Sequence, residues 1–375
     1  MTREELSRVA LEEIDKCKCL VLELITGYGK TRISIDLANH ICARTNRPIS
    51  VLILVAKTVH KQTWKDEIQK WGGLKADYLT IECYESLKKY KNTTFDIIIC
   101  DEMQHLSENR LAVLSTIKVK EAIIGLSATI KKDLRNIFRY SFNAHFIKCG
   151  LKEAVENEVL PEPTVYLLPL RLDTETVAYT TKKFGKSITT TQQGYYATMS
   201  SLIEWYKNKY FNSRGERIKN LWLSTAGKRL KWLSEQKEGV VIHLLDKLKY
   251  QRTLTFCSSI DQAERLGKFN ITSKNKKSTE YLNMFNECKI KHITSCAILN
   301  EGVNLYNCKV GIFCNLNSSE IITKQRVGRL LRHKHPIVII PYYKNTREEE
   351  LVAKMLEEYN KESIKTINNL NEIVL

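Results

Sequence analysis

The sequence predicts an α/β fold with two successive units, each built on a parallel β-sheet. A short apolar run at 20–23 leads through a glycine-bearing turn into an amphipathic helical pattern at 33–41. Strongly apolar runs at 51–55 and 97–100 indicate strands buried on both faces, as strands of parallel sheets are. The same succession of strand and helix patterns starts again at 253. A second unit of the same class is therefore predicted there.

The turn at 24–31 has the composition of a phosphate-binding loop, although Leu24 stands where the full pattern has glycine. Two glycines let the backbone curl so that several N–H groups point at one oxyanion. The following helix adds the partial positive charge of its N-terminus, a lysine can reach the outer phosphates, and a threonine hydroxyl can ligate Mg²⁺. A tight turn with a solvated lysine is the alternative. The predicted nucleotide-binding residues are Thr26, Gly27, Tyr28, Gly29, Lys30 and Thr31, of which Thr31 is the metal ligand.

The next strand, at 50–55, leads into a polar and basic helical segment at 60–67. Lys57, Thr58 and Lys61 lie where a loop between strand and helix would present donors to a phosphodiester backbone. A solvated helix start is the alternative for each of them. We predict that these three residues contact nucleic acid.

A third buried strand, at 95–100, ends in two adjacent carboxylates, Asp101 and Glu102. The carboxyl edge of an open parallel sheet is where ligands bind. Mg²⁺ requires oxygen ligands, and Asp101 fits that role. Hydrolysis requires a base that orients or deprotonates the attacking water, and Glu102 fits that role. Adjacent acids on an ordinary surface are the alternative, which the preceding apolar run disfavours.

The strand predicted at 122–126 ends in small hydroxyl residues, among them Ser127 and Thr129. These hydroxyls can relay contacts between the nucleotide site and the rest of the protein. A helix cap is the equally good local alternative.

Composition favours a polyanionic partner. The 375 residues carry a formal net charge of +17, and a basic surface binds polyanions by releasing their counterions. No run of about 18 apolar residues predicts a membrane span, and the charged N-terminus does not predict secretion. The 11 cysteines include no Cys-x-x-Cys pair, which favours free thiols in a reducing cytoplasm over a zinc site.

The character of the chain changes over 151–240. A helix at 151–156 and a proline-marked linker precede a strand at 165–172. Over 181–240 there are 12 Lys or Arg and 4 Glu, a net charge of 12 − 4 = +8. Such a segment suits phosphate pairing and base stacking, whereas the alternative is a helical insert with its own small aromatic core. The interleaved aromatic residues are Trp205, Tyr206, Tyr210, Phe211, Trp222 and Trp232.

The second unit contains the most specific pattern of the chain, at 325–332. Arg329 and Arg332 are predicted to lie three apart on one helix, and therefore on one face. Planar guanidinium groups suit the charge that builds on a transferring phosphoryl group. A solvated basic helix is the alternative. Upstream, Gly302 allows a close backbone turn.

These stretches together resemble the superfamily-2 helicases. Two departures accompany the resemblance: Gln104 stands where histidine is frequent, and Asn304 stands where aspartate is common. The segments that resemble motifs I to VI, in order, are 26–31, 101–104, 127–129, 253–259, 300–305 and 325–332.

The resemblance implies two RecA-like lobes in tandem with a basic, partly helical insert between them. The implied boundaries are 1–150, 151–240 and 241–375. ATP and Mg²⁺ would bind the first lobe, and the second lobe would complete the site as the lobes close. The residues implied in catalysis are Lys30, Glu102, Gln325, Arg329 and Arg332; Gly302 is implied in nucleotide binding, and Ser258 and Thr294 in nucleic-acid binding.

The pattern is most similar to compact phage helicases of the UvsW type and to helicases of type III restriction enzymes. This implies an ATP-dependent DNA helicase, expected to be a cytoplasmic monomer, with roles in repair or recombination and a protein partner left open. RNA is the alternative track. A double-stranded DNA translocase that remodels protein–DNA complexes without unwinding is a second alternative. A nucleic-acid-binding module with a decayed ATPase is a third.

Overall fold

The computed structural model describes residues 1–183, 186–296, 305–317 and 319–375. These residues form two compact units. The first comprises Met1–Glu162 together with Glu320–Arg332, and the second comprises the other described residues.

The first unit is built on a sheet that has six strands within the described part of the chain. All pairs are parallel, in the order β3-β2-β4-β5-β1-β6. The strands are β1 (Cys19–Leu24), β2 (Ser50–Val55), β3 (Tyr78–Cys83), β4 (Thr94–Cys100), β5 (Lys118–Ser127) and β6 (His145–Cys149).

Helices connect these strands. Every residue of β1 is buried, as expected of a central strand between two neighbours. Short 3-10 helices cover Tyr84–Tyr90 and Met103–His105. The α-helices are α1 (Arg3–Ile14), α2 (Lys30–Arg44), α3 (Thr58–Lys70), α4 (Glu108–Leu114), α5 (Lys132–Ser141) and α6 (Leu151–Glu156).

The second unit contains a larger parallel sheet, with seven strands among the described residues, in the order β11-β12-β10-β13-β14-β7-β15. An antiparallel hairpin of β8 and β9 is separate from it. The strands, in chain order, are β7 (Thr164–Leu170), β8 (Tyr179–Lys183), β9 (Lys186–Thr190), β10 (Thr253–Phe256), β11 (Asn270–Ile271), β12 (His292–Ser295), β13 (Val310–Phe313), β14 (Ile337–Tyr343) and β15 (Ile364–Thr366).

Two long helices of the second unit, α7 and α8, pack against each other as a helical hairpin. Two further short 3-10 helices cover Lys361–Ser363 and Leu370–Glu372. The remaining helices, of which α12 groups with the first unit, are α7 (Gln192–Ser213), α8 (Glu216–Gln236), α9 (Glu238–Lys247), α10 (Ile260–Leu266), α11 (Ser278–Asn286), α12 (Glu320–Leu330) and α13 (Arg347–Met355).

The predicted fold class is confirmed: both large sheets are all-parallel α/β sheets. The segment 151–240, assigned from sequence to a linker and insert, contributes β7, which pairs with β14 and β15 in the second sheet. The predicted domain boundaries stay predictions. None of the described helices is long and apolar enough to cross a membrane.

The cysteine thiols are free, as predicted. Several lie in the cores on or beside the strands, including Cys19, Cys100 and Cys314. Burial raises the pKa of the Cys100 thiol to about 12 because a thiolate would lose its hydration there. These residues therefore serve as small apolar side chains.

A fully buried ion pair anchors α8 to the second sheet. Lys237 follows α8 directly, and its Nζ lies 2.6 Å from Oε1 of Glu348 and 3.2 Å from the carbonyl oxygen of Pro341. The other carboxylate oxygen of Glu348 accepts from the N–H of Tyr343 at 3.0 Å. Both side chains are essentially inaccessible, with 0% and 1% exposed. Each charge therefore depends on its partner.

We predict that Lys237→Met destabilises the protein by about 3–5 kcal/mol, because Glu348 is left as an uncompensated buried charge. Adding Glu348→Gln removes that charge and keeps an acceptor for the Tyr343 N–H, so the double variant should regain most of the loss. Urea unfolding of the wild type, Lys237→Met and the double variant measures both effects. Equal stability of the single and double variants would contradict this account.

Candidate active site

The predicted phosphate-binding loop joins the carboxyl end of β1 to the first turn of α2. Gly27 and Gly29 have φ angles of 94° and 109°, a region that L side chains rarely adopt. Gly29 is the N-cap of α2, which begins at Lys30. The loop thus has the local geometry expected of an anion cradle at a helix N-terminus.

Lys30 lies close to acidic groups at this sheet edge. Its Nζ donates to the carbonyl oxygen of Leu24 at 2.9 Å. Burial lowers the pKa of Lys30, the carboxyl groups of Glu102 and Asp101 raise it, and the charge of Arg329 lowers it. Predicted residues from three separate parts of the sequence therefore interact electrostatically within the first unit.

Thr26 carries an unsatisfied polar atom. Its Oγ1 is buried and has no hydrogen-bond partner among the described residues, and such atoms are rare unless a ligand or water completes them. Helix α12 approaches closely, since a Cβ added to Gly328 would lie 2.4 Å from Cβ of Thr26. The loop therefore holds a spare hydrogen-bonding group, which fits a phosphate oxygen.

Tyr28 was predicted to bind nucleotide, but its polar groups are used within the protein. Its hydroxyl donates to the carbonyl oxygen of Met1 at 2.7 Å, and its N–H donates to the carbonyl oxygen of Ile25 at 3.2 Å. Arg3 donates to the carbonyl oxygens of Tyr28 and Gly27 at 3.2 and 3.3 Å. Tyr28 and Arg3 thus tie the loop to the N-terminal segment.

Asp101 follows β4 directly and is held by α3. Its Oδ2 accepts from Nε1 of Trp64 at 2.9 Å, and Trp64 is 2% exposed. Burial, with a smaller effect from the Glu102 carboxyl, raises the pKa of Asp101 to about 7, against the lowering effects of Trp64 and Lys30. Because nearby positive charge stabilises the ionised form of this carboxyl group, Asp101 is suited to bind a divalent metal ion.

Glu102 is held in a strained backbone conformation by a short hydrogen-bond chain. Its φ and ψ are 49° and 56°, which costs a non-glycine residue about 1–2 kcal/mol. Its Oε2 accepts from Nε2 of Gln104 at 2.7 Å, and Oε1 of Gln104 accepts from the Ser127 hydroxyl at 2.6 Å. That hydroxyl also lies 2.7 Å from the carbonyl oxygen of Thr129. The Ser127 hydroxyl thus links Glu102 to the segment after β5, whereas the Thr129 hydroxyl has no hydrogen-bond partner among the described residues.

Helix α12 differs in part from its prediction. Arg329 is buried, at 6% exposed, and acts on Lys30 as described above. The prediction that Arg329 and Arg332 share one helical face is wrong, because α12 ends at Leu330 and Arg332 follows in an exposed turn. The side chain of Gln325, and Gly302 as a whole, lie outside the described residues.

The predicted nucleic-acid residues of the first unit fall into two groups. Lys57 and Thr58 are exposed at the start of α3, beyond the carboxyl end of β2. Lys61 is instead committed to an ion pair, with its Nζ 2.9 Å from Oε1 of Glu82. That pairing raises the pKa of Lys61.

Those of the second unit are engaged in internal hydrogen bonds. The prediction that Thr294 contacts nucleic acid is wrong. Thr294 is 2% exposed, and its hydroxyl donates to the carbonyl oxygen of Ala263 at 2.7 Å. The N–H and hydroxyl of Ser258 both bond to Oε1 of buried Gln262, at 2.8 and 2.9 Å. Gln262 lies on α10, and its side-chain amide also donates to the carbonyl oxygen of Ser234 on α8.

The aromatic residues of the α7–α8 hairpin form a small core between the helices and also leave rings exposed to solvent. Trp222 packs with Tyr210 and Phe211 at ring-centroid distances of 5.9 and 6.2 Å, a small core between the helices. Trp205 and Phe211 nevertheless remain 53% and 49% exposed. Cations lie over these exposed rings, such as Nζ of Lys209 at 4.8 Å from the centroid of the Trp205 ring.

Comparisons with known proteins find partial similarity in sequence. Residues 236–334 match the model of the helicase conserved C-terminal domain. The DNA 3'-5' translocase XPB2 of Sulfurisphaera tokodaii is 22% identical over 362 residues, covering 84% of this chain and 75% of that protein.

Two solved structures share the fold. A fragment of a putative HsdR subunit of a type I restriction enzyme from Vibrio vulnificus is 19% identical with a TM-score of 0.64, covering 98% of this chain and 68% of that one. A variant of S. cerevisiae Dbp5 bound to RNA and ADP BeF3 is 11% identical with a TM-score of 0.61, covering 97% of this chain and 89% of that one. At identities below 25%, these likenesses show a shared fold.

Sequence reasoning missed several residues that position the candidate site. Trp64 and Arg3 act through long-range hydrogen bonds, for which the sequence carries no signal. Glu23, 6% exposed, pairs with Arg135 and accepts from the N–H of Ile130, which orders the segment after β5. A carboxylate inside the apolar run of β1 was the visible sign that a buried partner existed.

We predict that Asp101→Asn stabilises the nucleotide-free protein at pH 8. The folded-state pKa of about 7 lies above the ordinary aspartate value of 3.8, so the folded state binds more protons between these values and loses stability as pH rises. The advantage of the variant should grow from about pH 4 to pH 7 and stay constant above. Thermal unfolding across this range measures it, with exposed Asp246→Asn as the matched control. A pH-independent difference would contradict the raised pKa.

Proposed function

We propose that this protein is a nucleic-acid-stimulated ATPase that works as an ATP-dependent DNA helicase, moving along DNA and unwinding or remodelling it. The observation that carries the proposal is that Lys30 lies at the sheet edge of Asp101 and Glu102, while α12, which carries Arg329, packs on the phosphate-binding loop through Gly328. A lysine cation at the loop, two carboxylates and a buried guanidinium are groups that suit phosphoryl transfer to water.

Each group has a chemical role in this proposal. The curled backbone around Gly27 and Gly29, with the unsatisfied Thr26 hydroxyl, binds phosphate oxygens. Lys30 exchanges its bond to the Leu24 carbonyl for the outer phosphates. Thr31 and Asp101 hold Mg²⁺, which when bound neutralises phosphate charge and orients the nucleotide. The ligand pair consists of a hydroxyl and a carboxylate, the hard oxygen donors that this ion prefers.

Glu102 is the proposed base for the attacking water. Its strained backbone and its bond from Gln104 fix one carboxylate oxygen and leave the other, Oε1, for the water proton. Arg329 stabilises the charge that develops on the phosphoryl oxygens. Gln325, Arg332 and Gly302 retain the roles that the motif resemblance implies.

The proposed track runs over the basic and aromatic elements. Lys57 and Thr58 offer donors to a phosphodiester backbone, and we propose that the 151–240 segment grips or separates strands through the α7–α8 hairpin. The exposed rings of Trp205 and Phe211 suit base stacking. A DNA track is supported by the similarity to a protein named DNA 3'-5' translocase, and it is what the motif resemblance implies.

A double-stranded DNA translocase is the second candidate, because the matched archaeal protein is named a translocase. ATP-driven displacement of the third strand from a triplex, without separation of a forked duplex, would favour it over the helicase. The two candidates share the ATP site and differ only in what the movement does to DNA.

We predict that DNA stimulates ATP hydrolysis and that Glu102→Gln abolishes it, with a loss of at least about 100-fold expected for a general base. Steady-state hydrolysis is measured without polynucleotide and with single-stranded DNA, duplex DNA, forked DNA and RNA. Glu108→Gln, an exposed change at the start of α4, is the matched control and should retain activity. Stimulation by RNA alone would reject the DNA track, and an active Glu102→Gln would reject the proposed base.

A further inference from the structure

We propose that the second unit binds a phosphodiester backbone at the amino-terminal edge of its sheet, through four residues that we call the amino-edge row: Lys249, Arg252, Lys291 and Lys309. This site is additional to the contacts proposed above, which lie at the carboxyl ends of strands and on the hairpin. The inference rests on the proposed function only in taking nucleic acid as the partner.

Strand register brings three of these residues together. Lys291, Arg252 and Lys309 immediately precede β12, β10 and β13, which are neighbours in the sheet. Thr253 N–H donates to the Lys291 carbonyl at 2.8 Å, and Lys309 N–H donates to the Arg252 carbonyl at 3.1 Å. Because adjacent strands lie about 4.8 Å apart, three cations follow one another across the edge at the spacing of the strands.

An exposed aromatic ring joins the fourth residue to the row. Tyr250 is 72% exposed. The ammonium groups of Lys249 and Lys291 each lie 5.3 Å from the centroid of its ring. The ring therefore holds two like charges within about 11 Å of each other, a favourable arrangement for a ligand that bears successive negative charges.

Arg252 is fixed in place by neutral groups alone. Its Nε and Nη2 donate to the carbonyl oxygens of Asn307 and Tyr306 at 3.0 and 2.9 Å, and its guanidinium lies 4.1 Å from the centroid of the Phe285 ring. These contacts orient the guanidinium without neutralising it. Its Nη1 is buried without a hydrogen-bond partner among the described residues, so the group contributes an uncompensated positive charge at this edge.

Within the described part of the chain, no carboxylate forms an ion pair with any member of the amino-edge row. Lys289, two residues before Lys291, does have such a partner: its Nζ lies 2.6 Å from Oε2 of Glu287. The uncompensated charge acts on neighbouring groups: besides burial, Lys291 lowers the pKa of His292 and Lys309 lowers that of His333.

A phosphodiester backbone matches this arrangement. It presents one negative charge per nucleotide along a line, whereas a single small anion could engage only part of a row that spans three strands. The exposed rings of Tyr250 and Tyr306, the latter 52% exposed, can contact sugars or bases beside the phosphates. The row therefore fits a nucleic-acid strand.

The experiment compares the 375-residue chain with the double variant Lys249→Ala/Lys291→Ala, which we call the row variant. The matched control is Lys274→Ala/Lys276→Ala, which removes two exposed lysines from a loop of the same unit. Binding of a fluorescent single-stranded oligothymidylate is titrated at several salt concentrations, and nucleotide binding is titrated in parallel. A third variant, Lys249→Arg/Lys291→Arg, keeps the charge.

We expect the row variant to bind about tenfold more weakly near 0.1 M salt, and its plot of log affinity against log salt to be shallower by about 1.4, two phosphate contacts at about 0.7 each. The arginine variant should bind like the wild type, the control should lose less than the row variant, and nucleotide binding should not change. If the row variant and the control bind alike, the amino-edge site is rejected while the proposed function stands. If the wild type binds no nucleic acid, the proposed function fails as well.

Discussion

Parallel strand pairing is the constraint on which the candidate site depends. β4, β5 and β1 are consecutive in the first sheet, so their carboxyl ends meet at one edge. Those ends carry Asp101 and Glu102, then Ser127, then the phosphate-binding loop. Asp101 and Glu102, about 70 positions away in sequence, thereby interact with Lys30. In an antiparallel sheet, neighbouring strands would send these groups to opposite edges.

Several groups of the site are unfavourable in the nucleotide-free fold and would be stabilised by a bound ligand. A half-buried carboxyl group with a pKa near 7, a buried hydroxyl of Thr26 without a partner and a strained Glu102 each destabilise the nucleotide-free fold. Magnesium and phosphate would satisfy the first two. Positioning groups around them (Trp64 on Asp101, Gln104 on Glu102) hold the geometry in advance. This is the arrangement expected when function rather than stability determines the residues.

The sequence predicted the fold class well because buried parallel strands are long apolar runs that end in polar residues, as β2 and β4 are. It predicted the phosphate-binding loop because glycines with positive φ leave a local signature. The predictions from sequence failed where tertiary packing decides which side chains are exposed, which are paired and where a helix ends. Thr294 lies within a strand core, Lys61 has an acidic neighbour from another strand, and α12 ends two residues before Arg332. None of these depends on local sequence, so propensity could not reveal them.

The most direct test of the central claim, that the groups around Lys30 form a nucleotide site, is a calorimetric titration with ATP in the presence of Mg²⁺ and in EDTA. The wild type is compared with Lys30→Met and with Lys16→Met, an exposed lysine that is 60% accessible. We expect the wild type and Lys16→Met to bind ATP more tightly with Mg²⁺, and Lys30→Met to bind at least about tenfold more weakly, since a charge-assisted contact is worth about 1.5–3 kcal/mol. Equal affinity of Lys30→Met and the wild type would contradict the account.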